Sequence, residues 1–406
     1  MEKNEKLENW EPPKTIWNYM FISIFFANMA LNMGQQMSNS LLSLYAKSMN
    51  APANQIGQLM SMFAVTALIF RFVSGPAMNS FARKKLVAMA MGFMAFAYLG
   101  FSFAPVIATA TGVDAIVVLK MFRLLQGIGN AFGNSCCLTI VADLLPKEKF
   151  TTGMGYYACA QVVSQAIGPT IGILLRDAVG YNMTYIINFC VMCCAIMASL
   201  FVKEAPRAKV PFKMTFHNMI ATEALIPSFI NFLVNIGFTS INSFMLVYAE
   251  ERGISGASLF FTVYAITLLI TRPMVGKLTD KYGFVKVGIP SLFMTAVSLV
   301  MIGCSKSIIF LLLAALVNAF GYGAVQPMLQ SLCMKSVPDE RRGSASSTNY
   351  ISMDLATIIG PWVCGIVAAR AGYTPLMWII MSIPVIVGIL AVWCWRNKIG
   401  RIEKNF

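Results

Sequence analysis

The sequence predicts an all-α polytopic membrane protein of twelve transmembrane helices, arranged as two related six-helix halves. Three observations predict it. The composition is 57% hydrophobic and only 12% charged, with a mean hydropathy of +0.68, against roughly 25% charge in an ordinary soluble domain. Apolar runs of about 20 residues, each enough to cross roughly 30 Å of hydrocarbon, recur from one end to the other. The chain also repeats itself at about half its length. PKEKFTTGMGYYACAQVVSQAIGPTIG, beginning at Pro146, is echoed by PDERRGSASSTNYISMDLATIIGPWVCG, beginning at Pro338, and Gly168 and Pro169 map to Gly360 and Pro361 at the same offset of 192.

The spans expected in order are 16–46, 54–79, 84–106, 114–142, 151–176, 180–202, 220–249, 255–279, 286–305, 307–334, 343–370 and 373–396. The polar, mixed-charge opening MEKNEKLENWEPPK does not read as a cleavable signal peptide. Placing both termini in the cytoplasm puts nearly all the Lys and Arg inside: Lys3, Lys6 and Lys14, then clusters at 83–85, 147–149, 203–213, 277–286, 335–342 and 396–404. Only Lys47, Arg176, Arg252, Lys306 and Arg370 fall outside. That asymmetry predicts the orientation, and it accounts for the net charge of +14 without nucleic acid as a partner. The basic, Pro-containing stretch 203–218 divides the chain into an N-terminal half, 1–202, and a C-terminal half, 219–406. One chain with two halves is expected to work as a monomer in the lipid bilayer.

The first and seventh spans carry the duplication as a polar pattern. Asn28, Asn32, Gly34, Asn39 and Tyr45 recur as Asn231, Asn235, Gly237, Asn242 and Tyr248, each shifted by 203. Spacings of four, seven and eleven put the amides on one helical face, with Gln36 beside them. Such amides either line a wet cavity and contact substrate or join helices by hydrogen bonds. In span four Lys120, Arg123, Asn130 and Asn134 share a face. A cation at the centre of a membrane helix costs about 2.5–3.5 kcal/mol on insertion scales, so Arg123 is expected to serve substrate or proton coupling. Lys120 is close enough to the outer end either to snorkel or to do the same. Arg71 and Arg272, another repeated pair, are expected to snorkel or neutralise helix ends. Span eleven carries Tyr350, Asp354 and Thr357; Asp354 is the one carboxylate deep within a span. It is read either as a proton carrier or as a hydrogen-bonded structural acid.

Several chemistries find no support. The only Gly-Lys pair, Gly276-Lys277, is followed by Leu278, so no phosphate-binding loop exists for ATP. His217 is the only histidine, and neither a metal site nor a catalytic constellation can be assembled, so no cofactor is expected and the chain is not read as an enzyme. Cys136, Cys137, Cys190, Cys193 and Cys194 lie in apolar runs and read as small packing hydrophobes.

Four segments resemble elements of the major facilitator superfamily, in particular its twelve-span drug/proton antiporter-like exporters. Gly75-PAM-Asn79-Ser80-Phe81-Ala82-Arg83-Lys84 resembles the loop element G-x-x-x-D-R-x-G-R-K, and Gly276-KLT-Asp280-Lys281-Tyr282-Gly283 is a closer copy. Arg123-LL-Gln126-Gly127-Ile128-Gly129 resembles R-x-x-Q-G-x-G. Gly155-x8-Ser164-x3-Gly168-Pro169-x2-Gly172 resembles the antiporter element G-x8-G-x3-G-P-x2-G-G. The resemblance implies alternating access by rocking of two halves, with Gly75, Arg83, Lys84, Gly276, Asp280, Gly283, Gly155, Gly168, Pro169, Gly172, Gly360 and Pro361 as gating positions. It implies export of a small organic substrate against proton entry, carried by Asp354 with Arg123. The departures are Asn79 and Ser80 for an Asp and an Arg, and Ser164 and Ile173 for two glycines, so the first loop latch is expected to be weaker or to rely on Arg83 and Lys84. Uptake or exchange of an anionic metabolite, and a non-transporting receptor, are the alternatives.

Overall fold

The computed structural model describes residues 15–51, 53–201 and 211–405; Lys3, Lys6, Lys14 and the first part of the basic linker lie outside them. Every regular element among the described residues is helical. Ten are long and apolar enough to cross a membrane. One of these is two spans in succession, and Tyr19–Ser48 completes the set of twelve.

We label the helices α1 (Tyr19–Ser48), α2 (Ala53–Ser80), α3 (Arg83–Ser102) and α4 (Ala115–Leu144). Phe150–Leu200 turns at Gly180, whose φ of 79° and ψ of 171° are not helical, into α5 and α6. The second half supplies α7 (Leu225–Glu251), α8 (Leu259–Tyr282), α9 (Phe284–Cys304), α10 (Ile308–Lys335), α11 (Arg342–Ala371) and α12 (Pro375–Asn405). The helices start where side chains can satisfy their free N–H groups. Asn18 accepts from the amides of Met20 and Phe21 at α1, Asp114 from Ile116 at α4 and Ser307 from Phe310 at α10. Three boundaries depart from the sequence reading. Span three stops at Ser102, and a separate short helix, Ala104–Thr111, restarts with Pro in its first turn. Span seven gives its first residues to the turn Thr222–Ala224. The last helix runs to Asn405, well past the expected 396.

The duplication is visible in the backbone. Asn50 and Gly253, separated by the α1/α7 offset, have φ of 58° and 68°; Gly180 and Gly372, separated by 192, have φ of 79° and 66°. The left-handed region is costly for most side chains, so recurrence at matched positions marks turns that both repeats need.

Two compact units make up the chain. The first comprises Met1–Leu145, Ala160–Ile220 and Asp339–Ser347; the second comprises Pro146–Cys159, Ala221–Pro338 and Thr348–Phe406. In the first, α4 packs against both α3 and α2. Ser346 at the start of α11 donates to the carbonyl of Ser135 (2.9 Å), and Ser347 bonds the Arg71 carbonyl and the Ser74 hydroxyl. In the second, α9 and α8 pack on α10, and α12 on α9; the start of α5 joins them, with Thr151 bonded to Ser331 at 2.9 Å. α4 and α10 are largely enclosed over their C-terminal halves. Large apolar side chains such as Phe96, Met121, Leu174, Ile309 and Trp393 are exposed instead, the inside-out pattern that hydrocarbon requires. Cys136 and Cys137 are buried packing residues as expected, whereas Cys190 and Cys194 are exposed on α6 and fill no interior space.

A Cβ on Gly276 would lie 2.7 Å from the Thr152 Cα and 2.9 Å from the Thr151 carbonyl, so α8 and the start of α5 meet backbone to backbone. Gly92 has nothing within 4 Å. Gly276→Ala is therefore expected to destabilise by about 1–3 kcal/mol, while Gly92→Ala stabilises by about 0.5–1 kcal/mol through lower chain entropy. Thermal unfolding of the two purified variants should move in opposite directions.

Candidate functional site

In the first unit α1 and α4 meet through amides. Asn32 donates to the Asn28 side chain (3.0 Å) and to Asn134 (3.3 Å), and Asn134 donates to Asn130 (2.7 Å). Asn28, Asn130 and Asn134 are buried; Asn32, Gln36 and Asn39 are half-buried and form the accessible edge of the stripe. Farther along the same face lies Arg123, 1% exposed. Its Nη2 donates to Asn39 Oδ1 at 2.7 Å, its Nη1 to Gln126 Oε1, and its guanidinium carbon stands 4.6 Å over the Phe63 ring. Lys120 donates to Gln58 Oε1 at 2.8 Å and is only half-buried. α1, α2 and α4 are thus tied together around a buried guanidinium.

The second unit repeats the amide geometry with a different outer end. Asn235 donates to Asn231 Oδ1 (2.8 Å), Asn231 to Asn349 Oδ1 (2.9 Å), and the Tyr322 hydroxyl to Asn235 Oδ1 (2.8 Å). Phe238 stacks on Tyr322 with ring centroids 3.9 Å apart and planes 8° from parallel. Asn231 and Asn235 are buried, whereas Asn242, the counterpart of Asn39, is exposed. On α11 the expected polar stripe changes character along its length: Tyr350 is buried, Asp354 half-buried and Thr357 exposed.

Arg71 and Arg272 do not snorkel. Both are buried and answered by groups inside their own units: Arg71 by the Ala131 carbonyl and Ser135 (3.2 Å), Arg272 by the Ala158 carbonyl and Gln326 (2.8 Å). Carbonyl dipoles and amides serve where solvent was expected.

The positions expected to gate fall in two sets. In the first unit Arg83 forms an ion pair with Asp143, and Arg342 reaches the other oxygen of the same carboxylate at 3.0 Å. Asn79 donates to Ser344 at 2.7 Å beside Gly75, where a Cβ would touch Ser347 and Ser344 at 3.2–3.3 Å; Lys84 is half-buried. In the second unit Asp280 accepts from the Thr151 and Thr152 amides (3.0 and 2.8 Å) and from the Thr152 hydroxyl, capping the start of α5, with Lys335 3.9 Å away. A carboxylate on a helix N-terminus is favoured by both the free N–H groups and the dipole. Gly155 brings α5 against the Arg272 carbonyl, Gly360 brings α11 against Ile236 and Thr239 of α7, and Gly283 begins α9, whose first amide is capped by Glu403 at 2.7 Å. In the first unit Gly168 and Gly172, flanking Pro169, pack against Gln36, Met37 and Leu41 of α1. Pro361 follows Gly360 within α11.

Sequence reading missed Asp143, Arg342, Asn349, Tyr322 and Phe63 as partners. Asp143 could not be found by repetition, because its counterpart at the 192 offset is Lys335: the two repeats carry opposite charge there.

A family model described as Major Facilitator Superfamily matches residues 24–225 and 227–405. The chain belongs to the major facilitator superfamily. Among curated relatives, the multi-drug resistance efflux pump PmrA of Streptococcus pneumoniae is 22% identical over 348 residues, covering 82% of this chain and 85% of the pump. The multidrug resistance protein MdtG of Yersinia enterocolitica is 23% identical over 377 residues, with 88% of each covered. Among solved structures, the human organic anion transporter MFSD10 (TETRAN) superposes with a TM-score of 0.78 at 16% identity, covering 92% of this chain and 99% of that one. The superfamily fold therefore extends over nearly the whole chain, which is a membrane transporter and not an enzyme.

Within this superfamily member, Asp143 is the counter-ion of two buried guanidiniums and is itself only 12% exposed. Asp143→Asn leaves Arg83 without a carboxylate and Arg342 with only the exposed Asp339 (2.8 Å), at an expected cost of about 3–5 kcal/mol. Asp143→Glu should recover most of it, as read by thermal unfolding.

Proposed function

We propose that the protein is a secondary active exporter of a small organic molecule, working by alternating access with proton entry as the driving reaction. The observation that carries this reading is similarity to multidrug efflux proteins over more than four-fifths of the chain. Positive-inside charge supports both termini and the basic linker on the cytoplasmic side of a cell membrane. The inner-end clusters around Asp143 and Asp280 then lie where a cytoplasmic gate would open and close, and the Gly-Pro elements of α5 and α11 are the bending points.

Asp354 is the proposed proton carrier. Asp143, Asp280 and Glu403 stand at helix ends, whereas Asp354 lies midway along α11 and is half-buried. The accessible amides Gln36, Asn39 and Asn242 are the proposed substrate contacts, and Asn32 with the enclosed Asn28, Asn130, Asn134, Asn231 and Asn235 holds them in position.

In proteoliposomes carrying a pH-sensitive dye, a panel of lipophilic drugs and small metabolites is expected to include compounds that drive proton movement through the wild type. Asp354→Asn should abolish that movement with expression and thermal stability retained. Proton flux at the wild-type rate in the variant would make Asp354 structural. Solute flux without proton flux in the wild type would make the protein a facilitator or exchanger.

A further inference from the structure

The buried cations of this protein are balanced in three ways. Arg83 and Arg342 share Asp143, and Lys335 lies beside Asp280. Arg71 and Arg272 donate to backbone carbonyls, and they occupy matched positions in the two repeats. Arg123 has neither solution. Its oxygen partners are the neutral amides of Asn39 and Gln126, and no described carboxylate lies within ion-pair distance. Nor does the duplicated framework require it. At the 192 offset Arg123 becomes Ala315 and Lys120 becomes Leu312, so both cations were placed on one repeat only.

The surroundings of Arg123 hold donors in excess. Its own Nε and the Tyr185 hydroxyl are buried without a hydrogen-bond partner, and the Tyr98 hydroxyl and Gln126 Nε2 have only each other. Both tyrosines are close enough to Arg123 to interact with it electrostatically. Buried donors left unmet cost roughly 1–3 kcal/mol each, and here they gather around a full positive charge. The guanidinium edge formed by Nε and Nη2 is the one that takes both oxygens of a carboxylate side by side. Asn39 offers that edge a single neutral oxygen, and Nε is left empty. Asn39 is also half-buried, at the accessible border of the stripe, so its amide can be exchanged for an incoming group. Lys120, three residues earlier and likewise held only by an amide, is a second cation on the same side of α4.

We infer that Arg123 is the subsite for a carboxylate of an organic anion, which displaces Asn39 from the guanidinium and is completed by Gln126, Tyr98 and Tyr185. The inference rests on the transport reading above and names its substrate class. It also gives export a driving force, because an anion leaving a cell that is negative inside gains about 2.3 kcal/mol per charge for every 100 mV. Displacing Asn39 frees that end of α1 from α4 while the Asn32–Asn134 bond holds the other end, which couples occupancy to movement of part of α1.

The test is thermal-shift titration of the purified full-length protein with matched acids and amides: benzoate against benzamide, and 2-naphthoate against 2-naphthamide. The acids are expected to stabilise the wild type and the amides are not. Arg123→Gln should weaken acid binding about tenfold to a hundredfold, the loss of charge-assisted hydrogen bonds, with Arg123→Lys in between. Asn39→Asp guards against misfolding as an explanation: it supplies an internal carboxylate, so it should raise the melting temperature of the free protein and abolish the response to acids. Amides acting as well as acids, no shift with any acid, or an undiminished response in Asn39→Asp would each overturn the inference. Outward flux separates it from export itself. Acids that bind but are not exported refute the export reading and leave the subsite standing; neutral compounds exported by Arg123→Gln at the wild-type rate, with acids inert, refute the subsite alone.

Discussion

Taking a guanidinium or ammonium group out of water costs several kcal/mol per ion, and a membrane bundle offers little water with which to recover it. Each buried cation here therefore dictates what surrounds it. Arg83 and Arg342 are tolerable because Asp143 lies between them. That one carboxylate holds the end of α4, the start of α3 and the first turn of α11 together. In the second unit Asp280 is both the neighbour of Lys335 and the cap on two amides at the start of α5. The ends of the helices are fixed by charge, and their middles by amides and small residues.

The repeat explains why the two units look alike and why they differ. Both place an Asn ladder along the first helix of a half, both put a buried Arg on the second helix, and both carry Gly-Pro within the fifth helix. These features keep backbone groups satisfied and helices close, demands that are the same in either half. The differences concern charge. Asp143 faces two arginines where its counterpart is Lys335, and Asn79 stands where the second repeat has Asp280. The neutral Asn79 bonds one hydroxyl of α11, whereas Asp280 caps two backbone amides of α5. The helix ends of the first unit are thus tied by the Arg83–Asp143–Arg342 cluster, and those of the second by a capped helix.

Much of this was legible in the sequence. Hydropathy and the 192 and 203 offsets located the helices to within a few residues, apart from the far end of the last one, because span length and duplication are one-dimensional properties. The turn at Gly180 falls at the expected division between spans five and six, whereas the α3 boundary moved when Pro105 restarted a helix. Side-chain partners were the least legible. Nothing local connects Arg83 to Asp143, 60 residues on, and the burial of Arg71 and Arg272 depends on carbonyls whose direction only the packed helices fix. The amide stripes were recognisable as stripes, but their division into enclosed and accessible members was not.

That division bears on how a polar face can work in an apolar protein. An Asn ladder bonded to itself, as Asn28, Asn32, Asn134 and Asn130 are, spends its hydrogen bonds internally and holds two helices in register. It cannot also grip a ligand without breaking those bonds. Asn39 is different because its carbonyl oxygen is given to a cation that a stronger acceptor could claim. An amide holding a guanidinium is a weak bond set against a large desolvation cost, so exchange for a charged acceptor is favourable there and nowhere else along the stripe. The same helix can therefore be rigid over Asn28–Asn32 and responsive at Asn39, eleven residues apart from Asn28 on one face.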